Sequence, residues 1–176
     1  VSCWTVHDEM DEEFILLNGD TLFEAAVLQR LLEVNDHSIT VVINQKNSYD
    51  ADDMKVELEG SRLVKIGKDL VPGQVHGESI GMIMFRDQGP VLFRDAIEKA
   101  LLNPAAQKRW YLSVIDDLAK KFPVWTCRIN DLQWCEVDYM ADLKQAEKVV
   151  AACRPGRRKD FGDKPCRLKG ASPSNP

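Results

Sequence analysis

The sequence predicts an α/β fold in which a largely parallel sheet carries helices on both faces and a β-hairpin is inserted between its strands. Three observations carry that expectation. Short, uniformly apolar runs, "FILLN" (14–18), "ITVVI" (39–43) and "SIGMIMF" (79–85), lack the polar alternation of a half-exposed strand and read as strands covered on both sides. Amphipathic segments alternate with them, as in "LFEAAVLQRLLE" (22–33), where Leu22, Phe23, Val27, Leu28, Leu31 and Leu32 recur at helical spacing. In "MKVELEGSRLVKIG" (54–67) apolar and polar residues alternate, Val56 and Leu58 before Gly60-Ser61 and Leu63 with Ile66 after it, which is the pattern of a hairpin.

The remaining elements follow in order. "VLFRDAIEKALL" (91–102) has helical spacing, and a further helix covers "WYLSVIDDLAKKF" (110–122), which Pro123 ends. "VWTCRI" (124–129) and "QWCEVD" (133–138) read as short strands, and "MADLKQAEKVVAA" (140–152) as the closing helix.

At 176 residues, with 44% hydrophobic and 29% charged side chains, the chain is expected to form one globular domain over residues 1–153. The remaining stretch, 154–176, is rich in Pro, Gly and Ser and is expected to be a disordered tail. The tail holds seven basic residues against Asp160 and Asp163, a net +5, so that of the chain's total of −5 residues 1–153 carry −10. An acidic body of this kind is a poor surface for nucleic acid, although the basic tail leaves open an arm for RNA or anionic lipid. No run approaches the roughly 20 apolar residues of a membrane span.

Five cysteines, Cys3, Cys127, Cys135, Cys153 and Cys166, contain no C-x-x-C pair, which argues against a disulfide framework or zinc knuckle and fits a reducing cytoplasm. His7, His37 and His76 are scattered, so a transition-metal site has little support and oxygen ligands are the better candidates. Two aspartates stand where strands end: Asp20 in "LLNGD" and Asp138 in "WCEVD". Ligands of open α/β sheets collect at such strand ends. Like charges about 4 Å apart repel by about 4 kcal/mol at an effective dielectric near 20. A divalent cation removes that cost, and magnesium typically takes one or two carboxylates and fills its other positions with water and phosphate oxygens. Either aspartate could instead cap the helix that follows it, and spacing alone does not separate the two readings.

Four segments in order, "FILLNGDTLF", "DDMKVELEGSRLVKIGKDL", "GESIGMIMF" and "WCEVDYMADLKQAEKV", resemble nucleotidyltransferases of the phosphocholine and inositol-phosphate cytidylyltransferase type over residues 1–152. The resemblance implies a Rossmann-like, glycosyltransferase-A-like fold. It also implies transfer of a nucleoside monophosphate from an NTP, CTP in these relatives, to a small organic phosphate with release of pyrophosphate. It makes Asp20 and Asp138 the two magnesium ligands. Asn18 and Gly19 would lie beside the reactants, Gly19 letting the backbone approach closely. Lys68 would meet the acceptor phosphate, or else be a solvated turn lysine, and Lys55 is a second phosphate candidate unless it simply faces water. Glu78 and Gly81 would line the acceptor pocket, with a plain edge-strand charge as the alternative for Glu78. Trp134, beside Glu136 and Asp138, would stack on a quaternary ammonium group or else belong to the core. Cys135 reads as a small buried apolar residue, since no histidine lies near it in sequence.

One departure stands out. The Gly-rich G-x-G-x-R loop and downstream Pro-Lys of these enzymes have no match, and "VSCWTVHDEMDEE" (1–13) looks like the end of the helix preceding the Gly-Asp strand. The expectation is therefore an N-terminally incomplete domain, with an exposed sheet surface that invites self-association. The alternatives are a short, inactive homologue that binds an organic phosphate or a protein partner, and an interaction protein acting through its tail.

Overall fold

The computed structural model describes residues 2–103 and 109–153, so the expectation for the 154–176 tail lies outside the described residues. A short helix α1 (Ser2–Thr5) and a 3-10 turn (His7–Glu9) lead into β1 (Phe14–Leu17). There follow β2 (Thr21–Phe23), α2 (Ala25–Glu33), β3 (Ile39–Asn44), and the hairpin β4 (Lys55–Glu59) and β5 (Arg62–Gly67). After these come β6 (Gly77–Phe85), α3 (Gly89–Leu101), α4 (Tyr111–Ala119), β7 (Trp125–Arg128), β8 (Trp134–Glu136) and α5 (Leu143–Cys153). Every element read from the sequence is present, except that the helix read over 22–33 begins only at Ala25, because Thr21–Phe23 extends as strand β2. The hairpin turns at Gly60, whose φ of +64° is one that L side chains rarely adopt.

The expectation of a largely parallel, Rossmann-like sheet is corrected. Six strands form a mixed sheet in the order β1-β6-β3-β7-β5-β4, and β4 also pairs with the start of β6, so that five strands close into a ring. Among the described residues only β3 and β7 run parallel; the β1–β6, β3–β6, β4–β5, β4–β6 and β5–β7 pairings are antiparallel. The physical reason is that an unbroken apolar run reports covering on both faces and carries no information about direction. Helices do cover both faces. Ile39, Val41, Ile43, Ile83 and Phe85 meet Phe93 of α3 and Leu112, Ile115 and Leu118 of α4 on one side. Val42, Ile80, Met82 and Met84 meet Val27 and Leu31 of α2 on the other.

Strand β6 organises the sheet: all nine of its residues are buried. Its first residues pair with β4 and its last four with β1, and between these stretches its register against β3 shifts. The shift falls at Gly81, whose φ is +73°. A Cβ there would collide with the Asn18 side chain. Among the described residues β1 pairs with β6 alone, leaving one strand edge open. Phe85 is fully buried, stacked between Phe14 at 4.6 Å and Phe93 at 4.5 Å. Replacement Phe85→Ala should cost about 3–5 kcal/mol, read from urea denaturation midpoints; a loss under about 1 kcal/mol would show that this stack is not central to the core.

Candidate functional site

The candidate site is assembled by a second, two-stranded sheet. β2 and β8 pair antiparallel, with Thr21 opposite Glu136, Leu22 opposite Cys135 and Phe23 opposite Trp134. The ladder continues one step further, because the Val137 N–H donates to the Asp20 carbonyl at 3.0 Å. Asp20 and Asp138, 118 residues apart in the chain, therefore leave the same end of one small sheet. Its outer face is sealed by α5, where Cys135 packs with Leu22, Val137, Ala146 and Val149, a small buried apolar residue as the sequence suggests. Burial raises the Cys135 thiol pKa, with Asp142 and Glu136 adding to the shift.

Neither aspartate is a helix cap. The N-cap of α2 is Glu24, because residues 21–23 extend as a strand before the helix begins. Before α5 it is the Asp142 carboxylate that accepts the N–H groups of Asp138 and Tyr139, at 3.1 and 2.8 Å. The carboxylates of Asp20 and Asp138 remain available to a cavity of 490 Å³ that both line.

Asn18 is fixed at the cavity floor. Its N–H donates to the Gly81 carbonyl at 2.9 Å, and its Oδ1 accepts the Tyr111 hydroxyl at 2.8 Å. Buried Thr21 donates its hydroxyl to the Ile80 carbonyl at 3.1 Å, which ties β2 to β6. Glu78, expected by one reading to be an edge-strand charge, lies instead on central β6 and is 4% exposed.

Electrostatically the cavity is one-sided. Among the described residues, Asp20, Asp50, Asp52, Asp53, Glu78, Glu136, Asp138 and Asp142 line it against a single base, Lys68. Lys68 pairs with Asp52 at 3.1 Å and rests 4.8 Å from the centre of the Trp110 ring. Glu136 keeps solvent contact at the mouth. Even so, burial of its carboxyl in the concave wall, followed by the charges of Asp20 and Asp138, pushes its pKa up to about 7. Burial also raises the pKa of Glu78, an effect that the Lys46 ammonium opposes.

Of the residues anticipated from sequence, Asn18, Asp20, Lys68, Glu78, Gly81, Glu136 and Asp138 meet in this cavity. Gly19 is exposed and does not line it; a Cβ there would meet nothing within 4 Å. Lys55 points elsewhere: its ammonium donates to the carbonyls of Ala51 and Lys68, at 3.4 and 3.0 Å, beside a separate cavity. Trp134 packs against the core on the α2 side. Its place as an aromatic lining is taken by Trp110 and Tyr139, 59% and 75% exposed. Trp110, the acidic run Asp50–Asp53, Tyr111 and Lys46 were not anticipated as site residues. Only the acidic run left a trace in the sequence, immediately before the hairpin.

No group of three or more His, Cys, Asp or Glu side chains is arranged to hold a metal ion among the described residues. A pair of carboxylates completed by water and phosphate oxygens needs no third protein ligand. The donor set here consists of oxygens, and the Glu136 carboxyl, held protonated above its usual range mainly by burial and then by the charges of Asp20 and Asp138, lies beside both aspartates. Carboxylate and amide oxygens are the donor type that a hard divalent cation takes.

Among solved structures the chain is similar to the inositol-1-phosphate CTP transferase of T. maritima, at 20% identity and a TM-score of 0.71 over 88% of this chain. It is similar to a Bacillus anthracis protein assigned as a glucose-1-phosphate thymidylyltransferase, at 12% identity and 0.66 over 92%. It is also similar to the CTP:phosphocholine cytidylyltransferase of Streptococcus pneumoniae, at 13% identity and 0.55 over 85%. All three are nucleotidyltransferases, and the fold of this chain is theirs; it spans 62% of the length of each. No protein-family model and no curated protein sequence matches the chain.

The elevated Glu136 has a consequence for stability. The folded state holds this proton more tightly than the unfolded chain, where the group titrates near 4.5, so stability declines as pH rises from about 4.5 to about 7 and stays reduced above that. In metal-free buffer Glu136→Gln should match the wild type near pH 4.5 and exceed it at pH 8, in urea midpoints. Equal midpoints at pH 8 would show that the carboxylate cluster carries no penalty. Gly81→Ala should destabilise by more than about 1 kcal/mol, and the Tyr111 hydroxyl should lose its Asn18 partner, visible as a changed ultraviolet difference spectrum.

Proposed function

We propose that this chain is the acceptor-binding and metal-binding portion of a nucleotidyltransferase. The reaction is transfer of a nucleoside monophosphate, CMP, from an NTP to a small organic phosphate such as phosphocholine, inositol phosphate or a sugar phosphate, with release of pyrophosphate. The observation that supports it best is the β2–β8 ladder, which delivers Asp20 and Asp138 to one cavity of a nucleotidyltransferase fold. Asp20 and Asp138 would hold magnesium, which when bound supplies charge neutralisation between two anionic reactants.

The chain's own groups account for the rest. The cavity is acidic and both substrates are anions, so the protein by itself repels them, and productive binding depends on a cation at the two aspartates. Lys68 would donate to an acceptor phosphate, its ammonium lying 4.8 Å from the centre of the Trp110 ring. Glu78 and Asn18 present acceptor oxygens from the floor and orient hydroxyl or ammonium groups of the acceptor. Catalysis in this arrangement is positioning and charge neutralisation, and no protein nucleophile is required.

Pyrophosphate release over four NTPs, with phosphocholine, inositol 1-phosphate and glucose 1-phosphate as acceptors, tests the chemistry in the longest natural form of the protein. Asp20→Asn and Asp138→Asn should each lower turnover by about 10²-fold or more. A readout independent of turnover is magnesium binding followed by titration calorimetry, which each substitution should weaken at least about tenfold. Magnesium binding unchanged by both substitutions would rule out the proposed ligand pair.

A further inference from the structure

Lys46 lies outside every motif considered so far, and its ammonium occupies a particular place. It stands 2.8 Å from Asp53 Oδ2 and 2.7 Å from Glu78 Oε2, and both partners line the acidic cavity. Lys46 itself lines a different cavity, of 580 Å³. Its charge is therefore part of the wall between the two. The same Asp53 Oδ2 accepts the Asp50 N–H at 2.6 Å, closing the 50–53 loop on itself. Lys46 is braced in turn: its N–H donates to the Tyr49 hydroxyl at 3.3 Å, and its Nζ sits 5.7 Å from the centre of the Tyr49 ring.

Three lysines hold the acidic loop. Lys55 donates to the Ala51 carbonyl, Lys68 pairs with Asp52, and Lys46 pairs with Asp53. Of these three lysines, Lys46 also forms an ion pair with Glu78 of β6 on the cavity floor, a side chain that Asn44 Nδ2 reaches as well, at 3.5 Å. The Glu78 side chain is 5% exposed and that of Asp53 17%, so breaking the link would leave buried negative charge unpaired.

We propose that Lys46 is a positioning residue that clamps the Asp50–Asp53 loop to Glu78 on β6 and so shapes the acceptor side of the cavity. The acceptor half of this inference rests on the transferase reading above; the clamp itself does not. Lys46 need not touch the substrate, because it acts by fixing two carboxylates that line the cavity.

The test uses Lys46→Met, which keeps the stem and removes the charge, Lys46→Arg, which keeps the charge, and Asp53→Asn, which breaks the link from the loop side. Hydrogen exchange of the 50–54 amides should accelerate about tenfold or more in Lys46→Met and Asp53→Asn, with β3 and β6 amides as internal controls. Lys46→Arg should stay near wild type. Phosphocholine and inositol 1-phosphate, titrated in the presence of magnesium, should bind Lys46→Met about tenfold more weakly, while magnesium affinity does not fall. Unchanged loop exchange, faster exchange shared equally by the β3 and β6 amides, or a parallel loss of acceptor and magnesium affinity would overturn the proposal. Wild-type protein that binds neither probe would overturn the transferase reading and the acceptor half, with the exchange data still deciding the clamp.

Discussion

The candidate site depends on a ladder of three residue pairs. Strands β2 and β8 are too short to be stable alone, yet their register decides which side chains face the cavity. A slip of one residue would turn Glu136 toward α5 and Cys135 toward the cavity. The surrounding structure prevents it. Thr21 is hydrogen-bonded to the Ile80 carbonyl inside the protein. Glu24 exchanges two bonds with Gln133, its N–H donating to the Gln133 carbonyl and its carboxylate accepting the Gln133 N–H. On the other side of α2, Arg30 grips Asp131 with both guanidinium nitrogens and also donates to the Arg128 carbonyl, which holds the turn before β8. That grip pulls the Asp131 carboxyl down to about 2.

The mixed sheet exists in part to supply a floor for this ladder. Gly81 lets β6 change partners, from β4 to β1, without breaking its burial, and it turns a carbonyl toward Asn18 and Tyr111 at the point of change. A bulge beside a site that re-aims backbone groups is a recurrent use of such irregularities. One glycine thus links the hydrophobic centre of the domain to the polar cavity above it.

Charge is the second organising constraint. Eight carboxylates and one lysine line the cavity, and the described protein balances them unevenly. The Asp50–Asp53 side is laced by Lys46 and Lys68, while around Asp20, Glu136 and Asp138 no lysine or arginine ion pair is formed among the described residues. Burial first, and then the charges of Asp20 and Asp138, raise the Glu136 pKa on this side. The two sides therefore differ in character: one is partly offset by the protein's own lysines, and the other is left for an external cation in the proposed reaction.

By itself the sequence determined the elements and the covering of the sheet, because apolar period and turn chemistry are local properties. Gly60-Ser61 between alternating runs made the hairpin legible, and the positions of Asp20 and Asp138 at strand ends marked the two carboxylates that the fold brings together. Strand direction was not legible, since burial on two faces looks the same in either direction. Nor were the extended conformation of residues 21–23, Lys46, or the replacement of Trp134 by Trp110 at the cavity. In each case the deciding partner is remote: Glu136 for Thr21, Glu78 for Lys46 and Lys68 for Trp110. Only the tertiary structure decided these, because pairing across the fold overrides a local preference worth a few tenths of a kcal/mol per residue.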